Sequence, residues 1–166
     1  MANSTHTVFN SLLQLLEGAQ AHFRVILHDH AGRSEEVAKA LGTEVGQGAK
    51  ALVCEVLGGA FPPRWALAVL PADRKLDRKR LASALGGTKA RLADAEQASK
   101  LTGCVIGAIP PFSFNKDLML VVDPELMERY DTIAFNAGRL DASILLDSQD
   151  FLAIAKPCLV RMSCSA

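Results

Sequence analysis

Glycine closes apolar runs so often in this chain that no regular element can grow long. Val8, Phe9, Leu12, Leu13, Leu15 and Leu16 recur at helical spacing, and Gly18 stops them. Ser34 stands as the cap of a short helix over Glu35 to Leu41, which Gly42 ends. Ala51 to Leu57 reads as a buried strand ended by Gly58-Gly59. Asp77 caps a helix through Leu85, and Gly86-Gly87 stops it. Phe23 to Leu27, Trp65 to Leu70, Leu118 to Val122, Thr132 to Phe135, Ser143 to Leu146 and Cys158 to Met162 read as further strands. The strands before and after Phe61-Pro62-Pro63 fit a hairpin, and Asn136-Ala137-Gly138 reads as a turn. Asp94, Asp123-Pro124 and Asp147 open the remaining helices. Strands and short helices mix without a strict βαβ rhythm, which predicts an α+β fold.

A chain of 166 residues fits one domain, spanning 1–166. Hydrophobic residues at 49% and charged residues at 22% exclude a disordered chain. A formal net charge of zero argues against a constitutive nucleic-acid binder. It leaves room for an enzyme that meets a nucleic-acid end briefly. The start, Met1 to Thr7, lacks the basic and apolar blocks of a secretory signal. The apolar runs are too short to span a bilayer, so no membrane partner and a cytoplasmic location are expected. Cys54, Cys104, Cys158 and Cys164 form no Cys-x-x-Cys pair, and reduced thiols are expected.

Three features carry chemistry. Lys50 is a lone charge entering the apolar run Ala51-Leu52-Val53. It either snorkels to solvent or faces a pocket holding an anion or carbonyl. The segment from Gly103 to Phe112 contains Gly107 and Pro110-Pro111. It is either an ordinary tight turn or a stiff loop whose backbone N–H groups hold an oxyanion. Asn136 stands at a strand end, where it makes a turn or a pocket rim. His28-Asp29-His30 reads as an extended strand with both histidines on one face, two of the ligands of a metal site and no third, so no metal is expected. Cys104 is a nucleophile candidate without an evident histidine partner. Arg74-Lys75 and Arg78-Lys79-Arg80, diluted by Asp73 and Asp77, read as a solvated face or a phosphate contact. The glycines match neither the P-loop nor the dinucleotide fingerprint.

Taken together, three runs are more specific than any one of them. Gly46 to Val53, Leu101 to Phe114 and Ile133 to Gly138, in that order, resemble the YbaK/EbsC family. That family includes the editing domain inserted in bacterial prolyl-tRNA synthetases and its free-standing relatives. The resemblance runs from about Phe23 to about Val160, and Ala108 to Phe114 with Phe135 to Gly138 is most like the YeaK-type branch.

The resemblance implies a mixed, largely antiparallel sheet curled into a barrel-like core with short helices around it. It implies hydrolysis in trans of the ester joining a wrong amino acid, Ser or Thr rather than Ala or Cys, to a tRNA 3′ end. Lys50 matches the family's pocket lysine, and Gly103, Gly107 and Pro110 its Gly-x-x-x-Pro-type loop. Gly107 with Pro110 is spaced one residue short, and Gly103 with Gly107 is the longer alternative. In the implied mechanism the loop amides hold the oxyanion, Lys50 positions the substrate, and Asn136 holds water or the amino group. His28, Ile109, Phe112 and Gly138 are expected to contact the substrate. No cofactor is implied. The expected partners are the mischarged tRNA end, met transiently, and an aminoacyl-tRNA synthetase, with the protein a monomer or weak homodimer. Two competing readings are a binding module of the same fold without turnover and a thiol enzyme using Cys104.

Overall fold

The computed structural model describes residues 7–166, so most of the N-terminal segment read above for a signal lies outside the described residues. In chain order the elements are α1 (Thr7–Gly18), β1 (Phe23–Leu27), α2 (Ser34–Leu41), β2 (Ala49–Leu57), β3 (Arg64–Pro71) and β4 (Arg74–Leu76). There follow α3 (Arg78–Ala84), β5 (Lys89–Leu92), α4 (Ala95–Thr102), β6 (Leu118–Val122), α5 (Glu125–Arg129) and β7 (Thr132–Arg139). The chain ends with β8 (Ala142–Asp147), α6 (Ser148–Ala155), β9 (Cys158–Leu159) and β10 (Ser163–Ser165). The fold is α+β, with mixed, mostly antiparallel sheets.

The strands pair as a five-stranded sheet β5-β2-β3-β6-β9, a three-stranded sheet β1-β8-β7 and a two-stranded ribbon β10-β4. β2 and β3 form the expected hairpin, with Val53 opposite Leu67 and Cys54 opposite Ala66. Strand alternation then divides the core. Val53, Leu67 and Val69 face one cluster with α1, α6 and the three-stranded sheet. Cys54, Val56, Ala66 and Ala68 face a second cluster with Leu81, Ala82 and Met162. From Ala66 onward β3 is buried on both faces, which is why it reads as an unbroken apolar run.

Among the described residues the strands pair as separate sheets rather than one closed barrel ladder. A parallel bridge from Gly48, just ahead of β2, to Ala134 joins the five-stranded sheet to β7. On the outer side of β2, β5 covers only Cys54 to Leu57. Ala49 to Leu52 therefore leave an open edge, and the cleft described below forms there.

The cap residues behave as their chemistry requires. Asp77 accepts from Arg80 N, Asp94 builds a full capping box with Gln97, and Asp147 accepts from Gln149 N and Asp150 N. Ser34 lies inside α2, and Arg33 is its N-cap without a side-chain bond. Asn136-Ala137-Gly138 is not a turn. It continues β7, which runs to Arg139 over an irregularity in its pairing with β8. His28 and His30 lie beyond the end of β1, so they do not share a strand face.

Asp123 does more than start α5. It is 2% exposed. Its Oδ1 accepts from Glu125 N at 2.9 Å, and its Oδ2 accepts from Met162 N, Ser163 N and Ser163 Oγ at 2.9, 2.8 and 2.6 Å. Burial works to raise the pKa of this carboxyl, but the bonds from Ser163 and the backbone amides outweigh it and hold it below its usual value. A depressed carboxyl stabilises the fold above its unfolded pKa of about 3.9, and that stability is lost as pH falls through the folded value. Asp123→Ala should cost about 3 kcal/mol in urea denaturation at neutral pH, because four donors, one of them fully buried, lose their acceptor. An unchanged midpoint would show that the C-terminal strand is not clasped this way.

Candidate active site

Six segments converge on one cleft of about 340 Å³. They are the start of α2, Thr43-Glu44 beyond its end, the open edge of β2, Ala72 after β3, the loop around Gly107 and the middle of β7. Much of the lining is alanine: Ala38, Ala49, Ala51, Ala72 and Ala134. This volume and this small-residue lining suit a compact ligand.

Lys50 lines the cleft and is half-buried. Its Nζ donates to the backbone oxygen of Arg74 at 2.5 Å. Burial pushes the pKa of this lysine down, and the carboxylates of Asp73 and Glu35 partly restore it. Asp73 is held in turn by a two-pronged bond from Arg129, at 2.8 Å to each oxygen. That bond keeps the Asp73 carboxyl below its ordinary pKa. Arg129 also reaches Tyr130 Oη, which donates to Glu44 at 2.8 Å. Lys50 is thus a positioned cation with a fixed anion behind it.

Gly107 and Ile109 line the same cleft. Gly107 has φ 91°, and a Cβ there would stand 3.0 Å from both Cα and O of Gly32. The two backbone segments pass that closely because residue 107 is glycine, whereas a Cβ on Gly32 would stand 3.9 Å from Gly107 Cα. Among the described residues, the amide N–H groups of Gly107 and Ile109 have no protein acceptor, whereas Ala108 N bonds Val105 O. Gly103 differs in kind. Its N–H bonds Ser99 O at 2.8 Å, and it caps α4 in the left-handed conformation. Its amide is used up before any ligand arrives.

Asn136 is 6% exposed, and its amide is engaged at both nitrogen and oxygen. Its Nδ2 donates to Ala31 O at 2.7 Å and to Gly107 O at 2.8 Å. Its Oδ1 accepts from Ser143 Oγ at 2.6 Å. Ser143 Oγ also lies 2.7 Å from His28 Nε2, in hydrogen-bond contact. Asn136 therefore ties β7 to the glycine loop with both amide hydrogens, and its Oδ1 accepts one bond, from Ser143 Oγ. Gly138 reinforces the tie, because its N–H donates to Ala108 O at 2.8 Å.

Of the expected site residues, Lys50, Gly107, Ile109 and Asn136 meet in the cleft. Gly103, Pro110, Phe112, Gly138 and His28 are not on its lining. Phe112 is core, packed edge-on to Phe151 at 5.3 Å and tilted against Phe135. Cys104 is also buried in the core, and burial pushes its thiol pKa up to about 11, the wrong direction for a nucleophile. Among the described residues no three His, Cys, Asp or Glu side chains gather as metal ligands. In the basic stretch, Arg74 and Arg80 are paired with Glu125 and Asp77, and Lys75, Arg78 and Lys79 are exposed. Gly32, Thr43 and Glu44 also line the cleft, and nothing local in the sequence singled them out.

An α+β fold that sets a lysine and a glycine loop around a small cleft defines a candidate site for a small ligand. The aminoacyl-tRNA editing domain model matches residues 28–154, and the chain belongs to that family. It is 51% identical over 150 residues to the multifunctional Ser/Thr-tRNA deacylase ProXp-y of Escherichia coli, covering 90% of this chain and 89% of that one. It is 30% identical over 126 residues to EbsC of Enterococcus faecalis, a candidate Cys-tRNA(Pro)/Cys-tRNA(Cys) deacylase, covering 76% and 73%. A crystal structure of a candidate trans-editing enzyme for prolyl-tRNA synthetase superposes with a TM-score of 0.77 at 25% identity, covering 99% of each chain.

Proposed function

We propose that this protein is a trans-editing deacylase, acting as one domain, that frees Ser or Thr from mischarged tRNA. The observation that carries the reading is the meeting of Lys50 with the unpaired amides of Gly107 and Ile109 on one small cleft. The 51% identity to a Ser/Thr-tRNA deacylase supports the substrate class.

The ester is already reactive, so the protein needs to supply position and charge stabilisation. A water oxygen adds to the ester carbonyl carbon, and the carbonyl oxygen becomes an oxyanion. The Gly107 and Ile109 amides donate to that oxygen, and losing one such donor costs about 3 kcal/mol of barrier. The bond to the ribose oxygen then breaks, and that oxygen leaves with the proton the water gives up, transferred through the neighbouring ribose hydroxyl. Lys50 holds the polar end of the substrate beside the loop. Asn136 keeps the loop in place through Gly107 O. His28 acts at one remove, through Ser143.

The macromolecular partner in this reading is the tRNA 3′ end, met in the cytoplasm by a monomer or weak homodimer. A 31% match over 87 residues to a proline–tRNA ligase of Corynebacterium urealyticum supports association with a synthetase as a second partner. No helix among the described residues is long and apolar enough to cross a membrane.

Deacylation of tRNAs charged with Ser, Thr, Ala or Cys tests the reading. Rapid release of Ser or Thr is expected. Binding of all four without release would replace the enzyme with a binding module.

A further inference from the structure

Among the described residues, two buried side-chain polar atoms have no hydrogen-bond partner, Arg64 Nε and Thr43 Oγ1. Arg64 lies against Phe61 and bonds Leu85 O through another nitrogen, away from the cleft. Thr43 lines the cleft. Ser34 Oγ, at the half-buried start of α2, also has no protein partner among the described residues but is not a buried atom, and Arg33 is exposed. Lys50 Nζ, Asn136 and Glu44 have protein partners, and Glu35 is exposed at the mouth. The rest of the lining is mostly alanine, glycine and other apolar side chains, apart from the unpaired amides of Gly107 and Ile109 in the loop.

An orphaned buried hydroxyl costs stability that a partner would recover. We propose that Thr43 is a specificity-determining residue whose hydroxyl pairs with the side-chain hydroxyl of the amino acid being removed. The inference rests on the deacylase reading and deepens it. A hydrophobic pocket separates alanine from serine poorly, whereas a site built to bond a hydroxyl rejects the analogue that lacks one. Rotation about χ1 exchanges Oγ1 and the methyl between staggered wells, so the hydroxyl can turn to its partner without backbone movement. Backbone at this position is fixed, because Thr43 N bonds Ala38 O at 3.0 Å just past the end of α2. The residue is held, and only its hydroxyl is unspent.

The test compares wild type, Thr43→Val and Thr43→Ser on seryl-tRNA and alanyl-tRNA. Valine keeps the shape and deletes the hydroxyl, and serine keeps the hydroxyl. The seryl-to-alanyl ratio of kcat/KM should fall about tenfold in Thr43→Val, the worth of one neutral hydrogen bond, and stay within about twofold of wild type in Thr43→Ser. The melting temperature of Thr43→Val should be unchanged or higher, because no protein bond is lost. An unchanged ratio in an active Thr43→Val variant overturns the proposal and leaves the hydroxyl without a part in selection, with the deacylase reading intact. A large fall in melting temperature also overturns it, because the hydroxyl would then have a structural partner. Wild type that releases neither amino acid removes the deacylase reading, and this inference with it.

Discussion

Lys50→Met lowers kcat/KM for deacylation by about a hundredfold, the typical loss when a substrate is no longer held in its reacting position. The variant keeps the aliphatic stem and removes only the charge. Lys50 sits half-buried with Nζ on Arg74 O, so methionine fills its place while leaving that carbonyl without its donor. Fold stability should change little. Burial depresses this lysine's pKa, so the charged form is disfavoured in the folded state. A lysine with a depressed folded pKa costs stability at neutral pH, and the cost fades as pH rises through the folded value. Removing the charge relieves that cost, the lost bond to Arg74 O offsets the relief, and the chemistry alone is harmed. Lys50→Arg should not restore the rate, because the larger planar guanidinium cannot take the same place against Arg74 O. Single-turnover deacylation beside a thermal melt separates these effects. Full activity in Lys50→Met would remove the lysine from the mechanism.

Local chemistry made some elements readable and tertiary contacts hid others. The Asp77, Asp94 and Asp147 caps were plain because each is satisfied within three residues of itself. β4 and β5 were missed because Arg74-Lys75-Leu76 and Lys89-Ala90-Arg91-Leu92 carry their charges on short edge strands with little apolar content. Asn136-Ala137-Gly138 has turn chemistry, yet it is strand. Ala31 O, Gly107 O and Ser143 satisfy the asparagine from outside, and that overrides its local preference.

The site divides the same way. Lys50 stood out as a charge in an apolar run, and the glycine loop stood out by composition. The two glycines of that loop were indistinguishable by letter. Only the hydrogen bonds tell them apart, one amide spent on a helix cap and the other free. Gly32 and Thr43 sit in unremarkable local sequence, and their meaning comes from what lies across from them.

That distinction yields the second large effect. Gly107→Ala should lower kcat by about a hundredfold, and Gly103→Ala should leave it near wild type. At Gly107 an added Cβ stands 3.0 Å from the Gly32 backbone and must adopt φ 91°. Backbone cannot yield as a flexible side chain can, so the loop moves. Moving it disturbs the bond from Asn136 Nδ2 to Gly107 O and re-aims the amides of Gly107 and Ile109. The conformational strain costs about 1–2 kcal/mol, which leaves most of the protein folded. At Gly103 the added Cβ meets only Val8 Cγ2 at 3.3 Å, the end of a side chain. Its left-handed φ costs about 1 kcal/mol of stability at a helix end with no consequence for the cleft. Melting temperatures that fall by similar amounts, with kcat lost in only one variant, would assign the oxyanion donors to the Gly107 side of the loop. Loss of kcat in Gly103→Ala with Gly107→Ala active would move them to the other end.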